Sequence, residues 1–230
     1  MSKGLHKVYE DSAESYELVN HILTFGLDIL WRKRTAVLAS SVGGTRWLDV
    51  CCGTGEMAIN LRQLAEPEVD VVGLDFSLQM AQEAVNKPES NEISFSLATA
   101  DKMPFNSESF DLITISFATR NLSATKKILQ SNFSEFFRVL KPGGVFINLE
   151  TSQPNNWIIR TLFHTYVGAL VEYIGKLLSG HRTGYAYLSR SIRKFFSARD
   201  LARIIKQVGF KEVLVDTMFF GVAAIHMAYK

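Results

Sequence analysis

Two carboxylates and two glycines stand at a spacing that can do chemistry. In "WLDVCCGTGEMA", residues 47–58, Asp49 lies in an apolar run that breaks at Gly53 and Gly55, with Thr54 between them and Ala58 beyond. A second apolar run, "VDVVGLD", ends in Asp75, 20 residues after Gly55. A Gly-x-Gly-x-x-Ala turn that follows a strand lets backbone amides approach a ligand at the start of a helix. An acidic side chain about 20 residues on meets sugar hydroxyls there. A carboxylate can accept both hydroxyl hydrogens of a ribose. The chemistry is therefore capture of an adenosine-bearing cofactor, and a nicotinamide dinucleotide and S-adenosylmethionine both qualify.

Other residues favour the second. Asp49 precedes the first glycine by four residues. It would repel a pyrophosphate at short range, and it would suit a sulfonium and an amino-acid ammonium, directly or by orienting the loop amides. The run "TISFATRN" has no Y-x-x-x-K after it, the pair that the commonest small NAD-dependent reductases use; Tyr173 and Lys176 are wrongly spaced. Downstream, "ATADKMPFNSESFD" offers Thr99, Ala100 by its backbone and Asp101 as partners for an adenine. Plainer roles stay open. Asp75 or Ser77 can cap the helix that follows, and Asp101 can be a solvated loop residue.

These residues need elements to hold them. Strands are expected at 46–51, 69–75, 93–98, 110–117 and 143–150, with helices between, which implies parallel pairing with helices on both faces. In "KKILQSNFSEFFRVLKPGG" the apolar positions Leu129, Phe133, Phe136, Phe137 and Leu140 recur every three or four residues, and Pro142 and Gly143 are expected to stop that helix. A capping box from Ser197 to Asp200 opens another, closed at Gly209. Two last strands, 211–217 and about 219–228, have too short a connection for a crossover and must be antiparallel. The expected fold is α/β and Rossmann-like: a seven-stranded, mostly parallel sheet with one reversed strand at its end. A single domain over 1–230 carries N-terminal helices over about 5–40 and a helical insertion over about 155–195, together forming a lid.

The 230 residues suffice for one substantial core. A net charge of +2 is too small for a general nucleic-acid binder. The basic patch Arg32–Arg34 reads as a solvated helix face. Cys51 and Cys52 are neighbours, which excludes a disulfide framework, disfavours a cysteine metal site and fits a reducing cytosol. No metal ligand set is expected. The apolar run over 155–180 carries Arg160, His164, Glu172 and Lys176 and does not read as a membrane span. The first residues lack the apolar core of a signal peptide.

Taken together, "LDVCCGTGEMA", "ADKMPFNSESFDLITISFATRNL", "RVLKPGGVFINLETSQP", the N-terminal "SYELVNHILTFGLDILWRKR" and the C-terminal "GVAAIHMAYK" resemble the ubiquinone/menaquinone biosynthesis C-methyltransferases. The likeness spans nearly the whole chain. Its S-F-x-x-R-N and Y…N…F-G…W-R-K-R parts are the specific ones. The chain departs from the family at Cys51, Cys52, Ala118, Thr99 and Glu17. The resemblance implies a class I, S-adenosylmethionine-dependent methyltransferase. Thr54, Asp75, Thr99, Ala100 and Ser116 would contact the cofactor, beside Asp49, Gly53, Gly55 and Asp101. Arg120 and Asn121 would belong to the acceptor and catalytic region, and Tyr16 and Asn20 would close over the cofactor.

The implied reaction moves a methyl group to a ring carbon ortho to a hydroxyl on a polyprenylated quinol or a related lipid-soluble ring. Arg120 would favour the phenolate, and a water held by Arg120 and Asn121 would pass on the proton; the plain alternative for Arg120 is a surface ion pair. His164 reads as lying on the wetter face of its helix. Ile158, Leu162, Tyr166, Leu170 and Ile174, with Trp157 and Phe163, read as a lid over a greasy substrate or as core. An O- or N-methyltransferase of another small molecule and a non-catalytic cofactor-binding subunit are the rival readings. A cytoplasmic protein with peripheral membrane contact is expected, no nucleic-acid partner, and a homodimer is left open.

Overall fold

The computed structural model describes residues 20–171 and 182–230. The elements are α1 (Leu27–Ser40), β1 (Arg46–Val50), α2 (Glu56–Leu64), β2 (Asp70–Asp75), α3 (Leu78–Val85), β3 (Ile93–Leu97), β4 (Phe110–Ser116) and α4 (Lys126–Val139). They continue with β5 (Leu140–Thr151), α5 (Trp157–Tyr166), α6 (Arg182–Lys194), α7 (Ala198–Gln207), β6 (Glu212–Met218) and β7 (Ala223–Tyr229). The strands form one sheet in the order β3-β2-β1-β4-β5-β7-β6. Pairings from β3 to β5 are parallel, whereas β7 is antiparallel to both β5 and β6. The reversed strand is thus the last in sequence but sits one place in from the edge. β6 fills the edge because its tight connection lets it pair only with β7.

Period-2 alternation sends side chains to two cores. Leu48, Val50, Phe146 and Ile113 face α4 and α7, where Phe133, Phe136 and Phe210 pack. Trp47, Leu112, Val145 and Ile147 face the other layer, with Trp31, Met57 and Leu61 of α1 and α2. An irregularity between Phe110 and Leu112 shifts the register of β4 against β5, which puts Phe110 and Ile113 on one face.

Three sequence expectations move. The α4 helix stops at Val139, before Pro142, because Leu140 turns extended and pairs with Phe110; Lys141, preceding a proline, also resists the helical region. β7 starts at Ala223 because residues 219–222 make the turn. The basic patch divides: Lys33 and Arg34 are exposed, but Arg32 is buried. Asp28, Trp31, Arg32, Thr35, Ala36 and Ala39 form the buried stripe of α1, so Arg32 follows the helical period inward with Asp28 one turn before it.

The C-terminal motif closes the sheet. The Lys230 ammonium donates to the carbonyls of Phe137 (2.7 Å) and Leu140 (2.6 Å), capping the end of α4. Backbone strain is concentrated elsewhere. Phe219 and Phe220, both at positive φ (45° and 58°), form the β6–β7 turn, a conformation that costs an L-residue about 1–2 kcal/mol each.

Candidate functional site

The carboxyl ends of β1, β2 and β4 converge on a crevice. Cys51 to Thr54, Asp75, Ser116 and Asn121 line it. Cys52 leaves β1 with its N–H bonded to the Leu74 carbonyl at 3.0 Å, and Gly53 turns at φ 55°. A Cβ on Gly53 would meet nothing within 4 Å, so the turn keeps its open side for a ligand. The Asp75 carboxylate accepts the Gly53 N–H at 2.9 Å and the Ser77 N–H at 2.9 Å. The helix cap falls to Ser77, whose hydroxyl accepts the Met80 N–H. Asp75 therefore fixes the glycine turn and has lone pairs left for the crevice. Burial pushes its pKa up, and the Ser77 and Gly53 amides pull against that.

Asp49 lies behind the turn, fully buried, between β4 and the start of α2. Its Oδ1 accepts the Thr114 hydroxyl at 2.7 Å, and its Oδ2 has no hydrogen-bond partner among the described residues. Burial raises its pKa to about 7; Thr114, the Arg32 charge and the Ala58 amide pull it down, and Asp75 adds repulsion. A buried carboxylate with one unpartnered oxygen beneath an open glycine turn suits a cationic ligand and would be costly beside a pyrophosphate. The residues present thus fit an adenosyl sulfonium.

With its pKa raised to about 7, Asp49 would keep a proton in the folded chain between about pH 4 and pH 7 that the unfolded chain, at the ordinary value of 3.8, releases. Relative to Asp49→Asn, the ligand-free wild type should lose stability as pH rises from about 4 to about 7 and change no further above that. Denaturant melts of both proteins across this range read the difference. The comparison with the variant is needed because His226, whose pKa burial lowers, gives a slope of opposite sign.

The thiols of Cys51 and Cys52 are pushed well above the ordinary range, first by burial and then by Asp75 and Asp49, so they are not nucleophiles. Gly55 caps α2 at φ 85°. Thr99 and Asp101 are exposed and Ala100 is buried in the turn after β3, and none of the three lines the crevice. Tyr16 lies outside the described residues.

Beyond the crevice is a chamber of about 520 Å³. Leu23, Trp31, Phe163, Tyr166 and Ile192 are among its mostly apolar walls, and Asn20 and Arg120 also line it. Arg32 and Phe117 line both compartments and form the partition. The Arg32 guanidinium stands 5.1 Å from the Phe117 ring centroid. The turn after β4 puts Arg120 into the chamber and its neighbour Asn121 into the crevice.

Two polar networks anchor this partition. Arg120 is buried on Glu150, itself fully buried at the end of β5: Nη1 reaches Oε1 at 2.7 Å, and the Arg120 N–H reaches Oε2 at 3.1 Å. Its Nη1 also donates to the Phe117 carbonyl at 2.7 Å. Arg120 is ion-paired, but not on the surface. Two residues before Glu150, on the same face, Asn148 accepts the Thr119 hydroxyl and contacts His226 Nδ1 at 3.3 Å; His226 Nε2 meets the Ala198 carbonyl at 2.8 Å. In the second network Arg32 bonds Asp28 at 2.6 Å and Glu56 at 3.1 Å, and His21 meets the same two carboxylates at 2.8 and 3.3 Å. His21, Asp28 and Glu56 resemble a metal ligand set, but the Arg32 guanidinium already supplies their cation.

His164 bonds Gln153 at 2.7 Å and lines a separate shallow depression with Arg193. Its pKa is lowered by burial and then by Arg193 and Arg160. On α5 the chamber wall is Ile159, Leu162, Phe163 and Tyr166. Ile158 and Trp157, expected on that wall, are exposed instead because the helix phase turns Ile159 inward. The side chains of Leu170 and Ile174 fall outside the described residues. Sequence reasoning missed Glu150, Asn148 and Glu56 as partners; an acidic residue ending the apolar run "VFINLE" was the available signal.

A model of the ubiE/COQ5 methyltransferase family matches residues 1–230. The demethylmenaquinone methyltransferase of Anoxybacillus flavithermus is 34% identical over 229 residues, covering 98% of this chain and 95% of its own. That of Geobacillus kaustophilus is 35% identical over 229 residues, covering 98% and 96%. Among solved structures, a SAM-dependent methyltransferase from Thermotoga maritima superposes with a TM-score of 0.64 at 18% identity, covering 97% of this chain and 99% of that one. One from Aquifex aeolicus gives 0.58 at 16%, covering 85% and 88%. These two likenesses concern the fold.

Proposed function

The chain belongs to the ubiE/COQ5 methyltransferase family, and from that premise we propose that it transfers a methyl group from S-adenosylmethionine to a ring carbon of a lipid-soluble quinol of the demethylmenaquinol type. The observation that carries this reading is the pair of unlike compartments that meet at the Arg32–Phe117 partition: a crevice edged by Thr54, Asp75, Ser116 and Asn121, and a larger, mostly apolar chamber. Gly53, Thr54, Asp75, Ser116 and Asn121 would hold the cofactor, with Asp49 behind the turn. When bound, that cofactor supplies an electrophilic methyl group.

The chain's own residues have three tasks. The apolar walls take the acceptor out of water, which keeps competing nucleophiles from the methyl group. The partition aligns donor and acceptor, and such alignment is the largest part of what a transfer of this kind asks for. Arg120 orients the ring hydroxyl and stabilises negative charge on its oxygen. Glu150 already balances the guanidinium charge, so directed hydrogen bonds rather than net charge are what Arg120 offers. It stays protonated and cannot be the base; a water between Arg120 and Asn121 takes the proton. Residues 20–25, α1 and α5 form the lid.

Incubation with labelled S-adenosylmethionine and a demethylmenaquinol, with the methylated position read by mass spectrometry and NMR, tests the proposal. Label on a ring carbon is the expected result. Label on oxygen would establish the O-methyltransferase reading instead, and binding without transfer the non-catalytic one.

Among the described residues, no helix is long and apolar enough to cross a membrane. The acceptor is lipid-soluble, and Trp157, Ile158 and Leu30 are exposed outside the chamber. We assign them to peripheral contact with a bilayer. The protein should co-sediment with liposomes containing a quinone analogue, and Trp157→Ala should weaken that several-fold; no sedimentation under any lipid composition would refute the contact.

A further inference from the structure

Among the described residues six non-glycines adopt left-handed backbone, and four of them are Phe25, Phe117, Phe219 and Phe220. All four line the same chamber. A bulky side chain in this region is a true outlier, and such strain gathers at ligand clamps. Phe117 forms the inner wall, its backbone pinned by the Leu149 carbonyl and by Arg120. The other three line the chamber while 76%, 55% and 74% exposed, so they stand at its rim.

Among the described residues, none of the three belongs to a core cluster. Phe219, Phe220 and Gly221 are three consecutive left-handed residues, a turn that asparagine and glycine make most cheaply. The rings of Phe219 and Phe220 meet edge to face, 5.7 Å between centroids, and Phe25 leans on Tyr166 at 5.9 Å. The charged lining residues, Asp28, Arg32 and Arg120, are all buried. The chamber is therefore polar at its inner end and aromatic at its mouth, the complement of a ligand with a polar ring inside and hydrocarbon trailing out.

We propose that Phe25, Phe219 and Phe220 form a collar that grips the hydrocarbon tail of the acceptor where it leaves the chamber. This rests on the acceptor reading above and deepens it: the enzyme selects acceptors by their tails as well as their rings, and the strained turns are kept for that purpose.

The double variant Phe219→Asn/Phe220→Gly tests it, with a prenylated and a tail-free naphthoquinol as acceptors. The preference for the prenylated one, taken as the ratio of the two kcat/KM values, should fall roughly tenfold or more. The thermal midpoint should rise by roughly 2–4 °C as strain is relieved. An unchanged ratio, or a midpoint that falls, would overturn the collar. Should the double variant not fold, Phe25→Asn allows the same comparison. A wild type inactive on both acceptors would refute the acceptor reading alone. Farnesol binding, followed by the fluorescence of Trp31, would then decide the collar, with weaker binding by the variant expected and equal binding fatal to it.

Discussion

Glu150→Ala is expected to lower the stability of the fold by about 3–5 kcal/mol, read as a drop in the denaturant midpoint. The reason is what the change leaves behind. Arg120 is buried, and Glu150 accepts its guanidinium, its backbone N–H, and the N–H and hydroxyl of Thr151. Removing the carboxylate strands a buried cation and several donors together, and stranded buried groups are costly. The pair itself need not be stabilising. Arg120→Met with Glu150→Leu, which removes both charges and keeps the volume, should recover the part of the loss due to the stranded cation and leave the part due to the Arg120 and Thr151 donors. If Arg120 serves the acceptor, that double variant should still bind cofactor and fail to transfer methyl. A double variant that is both stable and active would remove Arg120 from the reaction.

Asp75→Ala should weaken binding of S-adenosylhomocysteine about 100-fold, measured by calorimetry. The side chain works twice. It ties down the Gly53 amide across the crevice and stands on the crevice wall where a ribose would lie. Asp75→Asn separates the two tasks, because a single amide oxygen can replace only one of the two carboxylate acceptors. It should retain more of the fold's stability than Asp75→Ala while losing most of the affinity. Equal affinity in wild type and both variants would mean that the glycine crevice is not where the adenosine sits.

Much of this architecture was legible in the chain. Strands covered on both faces are near-continuous apolar runs, so β1, β2 and β4 stood out from their surroundings, and the short connection expected near Thr217 and Met218 could only reverse direction. Gly53 and Asp75 were legible because a turn, a strand and an acid at fixed spacing are local features. Partners that meet through the fold were not. Arg32 looked solvated because its second carboxylate, Glu56, comes from another helix 24 residues away. Glu150 and Asn148 belong to a strand whose sequence says nothing of the turn they support. The end of α4 was misplaced for a like reason: Pro142 is a strong local signal, but pairing of Leu140 with Phe110 acts first. Thr99 and Asp101 follow the motif's usual place, and the turn after β3 leaves them exposed, outside the crevice lining.

The place of β7 between β5 and β6 has a consequence for synthesis. As the nascent chain leaves the ribosome, β6 emerges with no strand to pair with, and β5 shows one bare flank until β7 arrives to bridge them. For that interval an apolar edge is open to other chains, a situation that invites association. Slow translation or a truncation just before residue 223 should therefore prolong dependence on chaperones more than the same disturbance placed after β4 would.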